Sequence, residues 1–210
     1  MKKINKALIS VSDKKNLNLL LKTLSKHKIQ IISSGGTFKK IKKLGYKCLE
    51  LSKFTGFKEI LNGRVKTLHP KIHAGILSKR GNKSHIKDLE KNNFEEIDLV
   101  VVNFYPFEKT LELTNKHKKI IENIDIGGPT MVRAAAKNYN NVTVITKPEQ
   151  YRELIEELNL NILSLSGIDL LITSSELIEV RLESKVSFST KPKPRPISLP
   201  SDCSVMYEGS

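Results

Sequence analysis

The first half of the chain alternates short apolar runs with stretches of helical spacing. Residues 7–11 form one such run and predict a buried strand. Leu17, Leu20, Leu21 and Leu24 then make one apolar face of a helix over 14–27. A second apolar run at 29–33 leads through Ser34-Gly35-Gly36-Thr37 into a helix ending near Leu44, where Gly45 stops it. Residues 46–51 read as a third strand, and 97–103 as the most hydrophobic strand of the chain. A helix over 129–137, a strand over 142–146 and a helix over 148–158 complete the pattern. This succession predicts an α/β fold of three layers, a mostly parallel central sheet with helices on both faces.

Two regions depart from the pattern. Residues 52–78 show no clean period but are dense in Gly, Lys, Arg and His, which predicts a long functional loop. Beyond Leu160 the chain becomes rich in Leu, Ile and Ser without a firm period, and it ends in the run Lys191-Pro192-Lys193-Pro194-Arg195-Pro196. We therefore expect one domain over 1–160, a divergent segment over 161–189 and a flexible Pro-basic tail over 190–210.

Composition narrows the function classes. Hydrophobic residues at 39% and charged residues at 28% describe a soluble globular chain of 210 residues. The apolar run 97–104 is far too short to span a bilayer, and no signal-peptide core follows the basic start, so cytosolic retention is expected. Cys48 and Cys203 are too few and too far apart for a disulfide framework or a zinc site. The net charge of +14 invites a nucleic-acid reading, but the basic residues are spread over nearly every helix without interleaved aromatics. Specific nucleic-acid binding is not expected, and the field serves a small polyanionic ligand equally well.

Four motifs carry candidate chemistry. Ser34-Gly35-Gly36-Thr37 follows a strand and opens a helix, where free amides can hold a phosphate and hydroxyls can donate to it; an ordinary capped turn is the alternative. Ser10-Val11-Ser12-Asp13-Lys14 stands at the carboxyl end of the first strand, where ligands of parallel sheets collect, although Asp13 serves equally as a helix cap. Gly63-Arg64-Val65-Lys66-Thr67-Leu68-His69-Pro70, with His73-Ala74-Gly75 after it, concentrates cations, a hydroxyl and imidazoles in one irregular stretch, which suits a ligand-gripping loop. Asp125 precedes a Gly127-Gly128-Pro129 helix start and can cap it, and Lys137 falls near the far end of that helix.

Together with Phe54-Thr55-Gly56-Phe57 and Asn103-Phe104-Tyr105-Pro106-Phe107, these motifs resemble the inosine monophosphate cyclohydrolase domain of the bifunctional purine biosynthesis proteins, in register from about residue 7 to 158. The resemblance implies a methylglyoxal-synthase-like fold and closure of 5-formamidoimidazole-4-carboxamide ribonucleotide to inosine monophosphate with loss of water. It implies a purine nucleotide monophosphate as ligand, no cofactor or metal, and a homodimer. The family's second, transformylase domain is not expected in a chain of this length. By matching motifs, Ser12, Asp13 and Lys14 are nucleotide contacts, Ser34, Gly35, Gly36 and Thr37 the phosphate loop, and Arg64, Val65, Lys66 and Thr67 a second gripping segment. Val102, Asn103, Asp125 and Ile126 contact the base, and Lys137 is the proton donor or acceptor. Lys66, Asp125 and Tyr105 orient the carboxamide and shuttle a proton. Both lysines and Asp125 are expected to converge at the end of the ligand opposite the glycine turn. Methylglyoxal synthase and a non-catalytic nucleotide sensor of the same fold are the rival readings.

Overall fold

The computed structural model describes residues 3–104 and 107–160; Tyr105 and the expected segments 161–189 and 190–210 lie outside them. Five strands form one parallel sheet: β1 (Lys6–Val11), β2 (Gln30–Ser33), β3 (Leu49–Glu50), β4 (Leu99–Asn103) and β5 (Thr143–Ile145), in the order β3-β2-β1-β4-β5. The register sets Leu8 beside Ile32 on one side and beside Val100 on the other. The strands are short and strongly apolar because both faces are covered.

Alternate strand residues feed two cores. Ala7, Ile9, Val11, Ile31, Leu99 and Val101 face helices α1 (Leu17–Lys26), α2 (Gly35–Lys43) and the late helix 151–160. Leu8, Ile32, Val100, Val102 and Val144 face the opposite way, against the helices 51–55, 70–77 and 127–137. The three expected layers are therefore present.

The region 52–78 differs from the expectation of one long loop. It contains α3 (Leu51–Thr55) and α4 (Pro70–Leu77), which leave 56–69 irregular apart from one 3-10 turn at Leu61–Gly63. Proline opens α4, where its missing N–H costs nothing, and His69 Nδ1 accepts from the Lys71 amide as its cap. The third strand is shorter than the expected 46–51, because Leu51 already belongs to α3. Three further helices stand outside the expected set: α5 (Lys83–Lys91), α6 (Phe107–Leu113) and α7 (His117–Glu122). Only Leu89 of α5 is buried, and α7 buries nothing. The remaining helices are α8 (Gly127–Lys137) and α9 (Tyr151–Leu160).

One buried side chain fixes where α8 ends. Asn138 is 5% exposed and donates through Nδ2 to the Ile76 carbonyl at 2.7 Å and the Ser78 carbonyl at 2.8 Å, joining the C-terminal ends of α4 and α8. Asn138→Ala removes the side-chain donor to the Ile76 carbonyl in the core and leaves the Ser78 carbonyl to Arg80 Nη1. The expected cost is about 2–4 kcal/mol, read as a thermal midpoint lowered by roughly 5–15 °C.

Candidate functional site

The chain order changes direction between β1 and β4: from β1 the sheet grows through β2 and β3, and beyond β4 through β5. Crevices at such switch points, outside the carboxyl ends of the strands, collect ligands in open parallel sheets. A cavity of about 660 Å³ opens there. Ser10, Val11 and Ser12 from the end of β1 line it, with Ser34 to Thr37 at the start of α2 and Asn103 at the end of β4. Arg64, Lys66 and Thr67 close it from the irregular segment, and Asp125 to Gly128 from the start of α8.

The glycine turn is built for close approach. Gly35 has φ +53°, a conformation that favours glycine, and a Cβ placed there would meet Lys66 Nζ at 2.7 Å. The lysine ammonium thus rests directly over the turn, with its other side paired to Glu59 Oε1 at 2.7 Å. This corrects the expected placement: Lys66 stands at the glycine turn and not at the opposite end. Ser34 is 8% exposed and lines the cavity, and its hydroxyl makes no hydrogen bond among the described residues. Thr37 also differs from expectation. Its hydroxyl donates to the Val11 carbonyl at 2.9 Å and accepts from the Val11 amide at 3.1 Å, so it fastens α2 to β1 and has no proton left for a phosphate.

The first segment is shaped from behind. Asn103 Oδ1 accepts from the amides of Ser12 and Asp13 at 2.6 and 2.9 Å, while its Nδ2 donates to the Asp13 carbonyl at 2.9 Å. Its amide group, expected on a base, is committed to holding this loop. Asp13 accepts from the Lys15 amide at 2.8 Å in a turn ahead of α1; it is neither the helix cap, a position that Asn16 takes, nor in the cavity lining. Lys14 reaches the cavity while donating to the Ser12 carbonyl at 3.0 Å. Val65 bridges to Ile60 and steadies the irregular segment, and Val102 is 1% exposed within the core; neither lines the cavity.

Across the cavity, Asp125 Oδ1 accepts from the Gly128 amide at 2.9 Å and so caps the start of α8 while facing the open space. Thr67 packs against Gly127, where any side chain would collide with its hydroxyl. Ile126, 56% exposed, stands at the rim. Arg64 also lies at the rim, ion-paired with Glu122 of α7.

Lys137 is elsewhere. It is exposed and closes the 11-residue α8 at the end away from the cavity, about 15 Å along the helix from Gly127. The physical reason is the Asn138 anchor, which seats that end of α8 against α4. Lys66 and Asp125 therefore line one cavity, and Lys137 does not join them. Reading the sequence missed Glu59, Asn62 and Glu122. Glu59 had a signal, an acid in the same irregular stretch as Lys66, whereas Glu122 sits on a helix with no apolar period.

Behind the gripping segment, burial holds the His73 imidazole below its ordinary value, although a hydrogen bond with the Thr67 backbone favours the charged form. His73 folds neutral, so its contribution to stability is present above the unfolded value of about 6.5 and is lost as pH falls through its lower folded value. Thermal melts between pH 7 and 5 are expected to fall less steeply for His73→Gln than for the unaltered chain.

A three-layer parallel domain with an open cavity at its switch point is the class that fold and site define. The chain belongs to the MGS-like domain family, whose model matches residues 16–130. Over 156 residues it is 51% identical to the bifunctional purine biosynthesis protein PurH of Acetivibrio thermocellus, covering 74% of this chain and 30% of that protein. It is 54% identical over 153 residues to PurH of Persephonella marina, with 73% and 30% covered. The chain thus spans about 30% of the length of these curated relatives. A solved structure described as the crystal structure of ForH superposes with a TM-score of 0.67 at 28% identity, covering 76% of this chain and 82% of that one.

Proposed function

We propose that this domain closes a purine ring, converting 5-formamidoimidazole-4-carboxamide ribonucleotide to inosine monophosphate with loss of water. The observation that carries the reading is that the glycine turn with Lys66, and Asp125 at the start of α8, line the same cavity. The likeness to PurH over nearly three quarters of the chain supports it.

In this reading the ribose phosphate docks on the amides of the glycine turn, with the Ser34 hydroxyl and the Lys66 ammonium as further donors. The imidazole then extends toward α8. The carboxamide nitrogen attacks the formyl carbon, a C–N bond forms, and the formyl oxygen gathers negative charge. The Gly127 amide at the start of α8 stabilises that charge, since the Gly128 amide is held by Asp125 and Pro129 has none; one such donor is worth about 3 kcal/mol in comparable oxyanion holes. Asp125 takes the proton from the attacking nitrogen and returns it to the formyl oxygen; the hydroxyl so formed then leaves as water with a second proton from a ring nitrogen, and a C=N bond replaces the broken C–O bond. Both reacting groups sit on one ring, so holding them in attack geometry supplies much of the remaining acceleration.

The position of Lys137 favours a second reading, a domain that binds the nucleotide without turning it over. One experiment separates the two. The purified chain is given the formylated ribonucleotide and followed by the ultraviolet absorbance of inosine monophosphate, with binding of inosine monophosphate measured by calorimetry alongside. Ring closure predicts catalysed product formation. Binding without turnover selects the second reading, and neither overturns both.

A further inference from the structure

Lys66 is held in the cavity from two sides, and what holds it is not accounted for by ring closure. Its ammonium lies between two partners. On one side is the glycine turn, whose first residue has no room for a side chain beneath Nζ. On the other is Glu59 Oε1 at 2.7 Å. The Lys66 side chain is 24% exposed and that of Glu59 44%, so the pair is only partly screened by water. Glu59 belongs to the irregular segment, kept in place by the antiparallel bridge between Ile60 and Val65, and its second oxygen lies 3.3 Å from the point where a Cβ on Gly63 would stand. The absence of that Cβ leaves space for the carboxylate beside the ammonium.

We propose that Glu59 is a built-in stand-in for the ligand's anion: it holds the Lys66 ammonium in the empty cavity and is exchanged for a phosphate when one docks at the glycine turn. This rests on the proposed docking of the phosphate there. Two observations beyond the helix start support an anion at this place. Ser34 is buried, lines the cavity and leaves its hydroxyl unpartnered among the described residues. Lys66 presents its charge to the same turn. A carboxylate and a phosphate dianion cannot both sit on one ammonium without strong mutual repulsion, so arrival of the phosphate releases Glu59. The exchange keeps Lys66 charged and aimed while the cavity is empty. It also sets a threshold: a weakly charged ligand does not displace Glu59, and a dianion does. Arg64 and Glu122 repeat the arrangement at the rim with side chains 61% and 52% exposed, where screening weakens it.

Inorganic phosphate is the probe, titrated calorimetrically at constant ionic strength into the full chain and into Glu59→Gln, Lys66→Met and the double variant. Glu59→Gln is expected to bind phosphate about fivefold more tightly. In the Lys66→Met background the same change is expected to have no effect, since the ammonium that Glu59 guards is gone. Glu122→Gln is expected to gain less than Glu59→Gln. Unchanged or weaker phosphate binding by a folded Glu59→Gln overturns the proposal, as does an equal gain without Lys66 or a failure of phosphate to bind any of these chains. Should Glu59→Gln not fold, the carboxyl carbon resonance of Glu59 in the unaltered chain reads the same exchange. It is expected to move as phosphate is added, and a constant value overturns the exchange. Because phosphate is the probe, a chain that gains phosphate affinity without ever forming inosine monophosphate loses the ring-closing reading and keeps this one.

Discussion

Asp125→Asn is expected to lower the rate of ring closure by about 10²- to 10⁴-fold while leaving the fold and inosine monophosphate binding nearly intact. The substitution separates two duties of one side chain. Asp125 Oδ1 accepts from the Gly128 amide at 2.9 Å, and an asparagine carbonyl oxygen caps a helix start as well as a carboxylate does. What asparagine lacks is a site for the carboxamide proton. A thermal midpoint within a few degrees of the parent, with binding preserved and turnover lost, is the expected pattern. Asp125→Ala supplies the contrast, since it loses the cap as well, at a further cost of about 1 kcal/mol. Undiminished turnover by Asp125→Asn would remove this residue from the chemistry and leave it as a cap alone.

Gly35→Ala is expected to weaken inosine monophosphate binding by at least tenfold, and Gly36→Ala, one residue on, by far less. The two glycines of the turn are not equivalent. Gly35 has φ +53°, and its added methyl would stand 2.7 Å from Lys66 Nζ, so the backbone strains and the lysine is pushed off the turn. Nothing lies within 4 Å of a Cβ on Gly36, which is exposed and outside the positive-φ region. Calorimetric titration of both variants checks the difference. Equal losses would mean that the ligand itself needs both Cβ positions empty, and no loss at Gly35 would mean that the phosphate docks elsewhere.

Much of the fold was legible because burial imposes a period. β1, β2, β4 and β5 are apolar on both faces and read as short unbroken runs, and α1 shows Leu17, Leu20, Leu21 and Leu24 as a single stripe, all buried. Where an element buries little, the pattern fades. α5 buries only Leu89 and α7 nothing, so each offers few apolar positions from which to read a helix. Residues 70–77 carried the opposite ambiguity. The starting Pro70 announces a helix, but the surrounding Gly, His and cations suggested a loop, and packing of Ile72 and Ile76 in the core decided for the helix.

For the site, the sequence by itself determined which segments gather, although Asp13, Val65, Val102 and Lys137 of the expected set do not line the cavity. Strand ends, the glycine turn and the helix start at Gly127 follow from hydrophobic period and turn chemistry, and the parallel sheet brings them to one edge. Only the tertiary structure decided what each side chain does there. Hydrogen-bond partners come from segments distant in the chain: Val11 takes the Thr37 hydroxyl, the loop at Ser12 and Asp13 takes the Asn103 amide, and Glu59 takes the Lys66 ammonium. The fate of Lys137 was settled in the same way, by the buried Asn138 that pins its helix end to the carbonyls of Ile76 and Ser78. Period and spacing act locally and so are written in the chain. A hydrogen bond depends on distance and angle across the fold, which no stretch of sequence specifies alone.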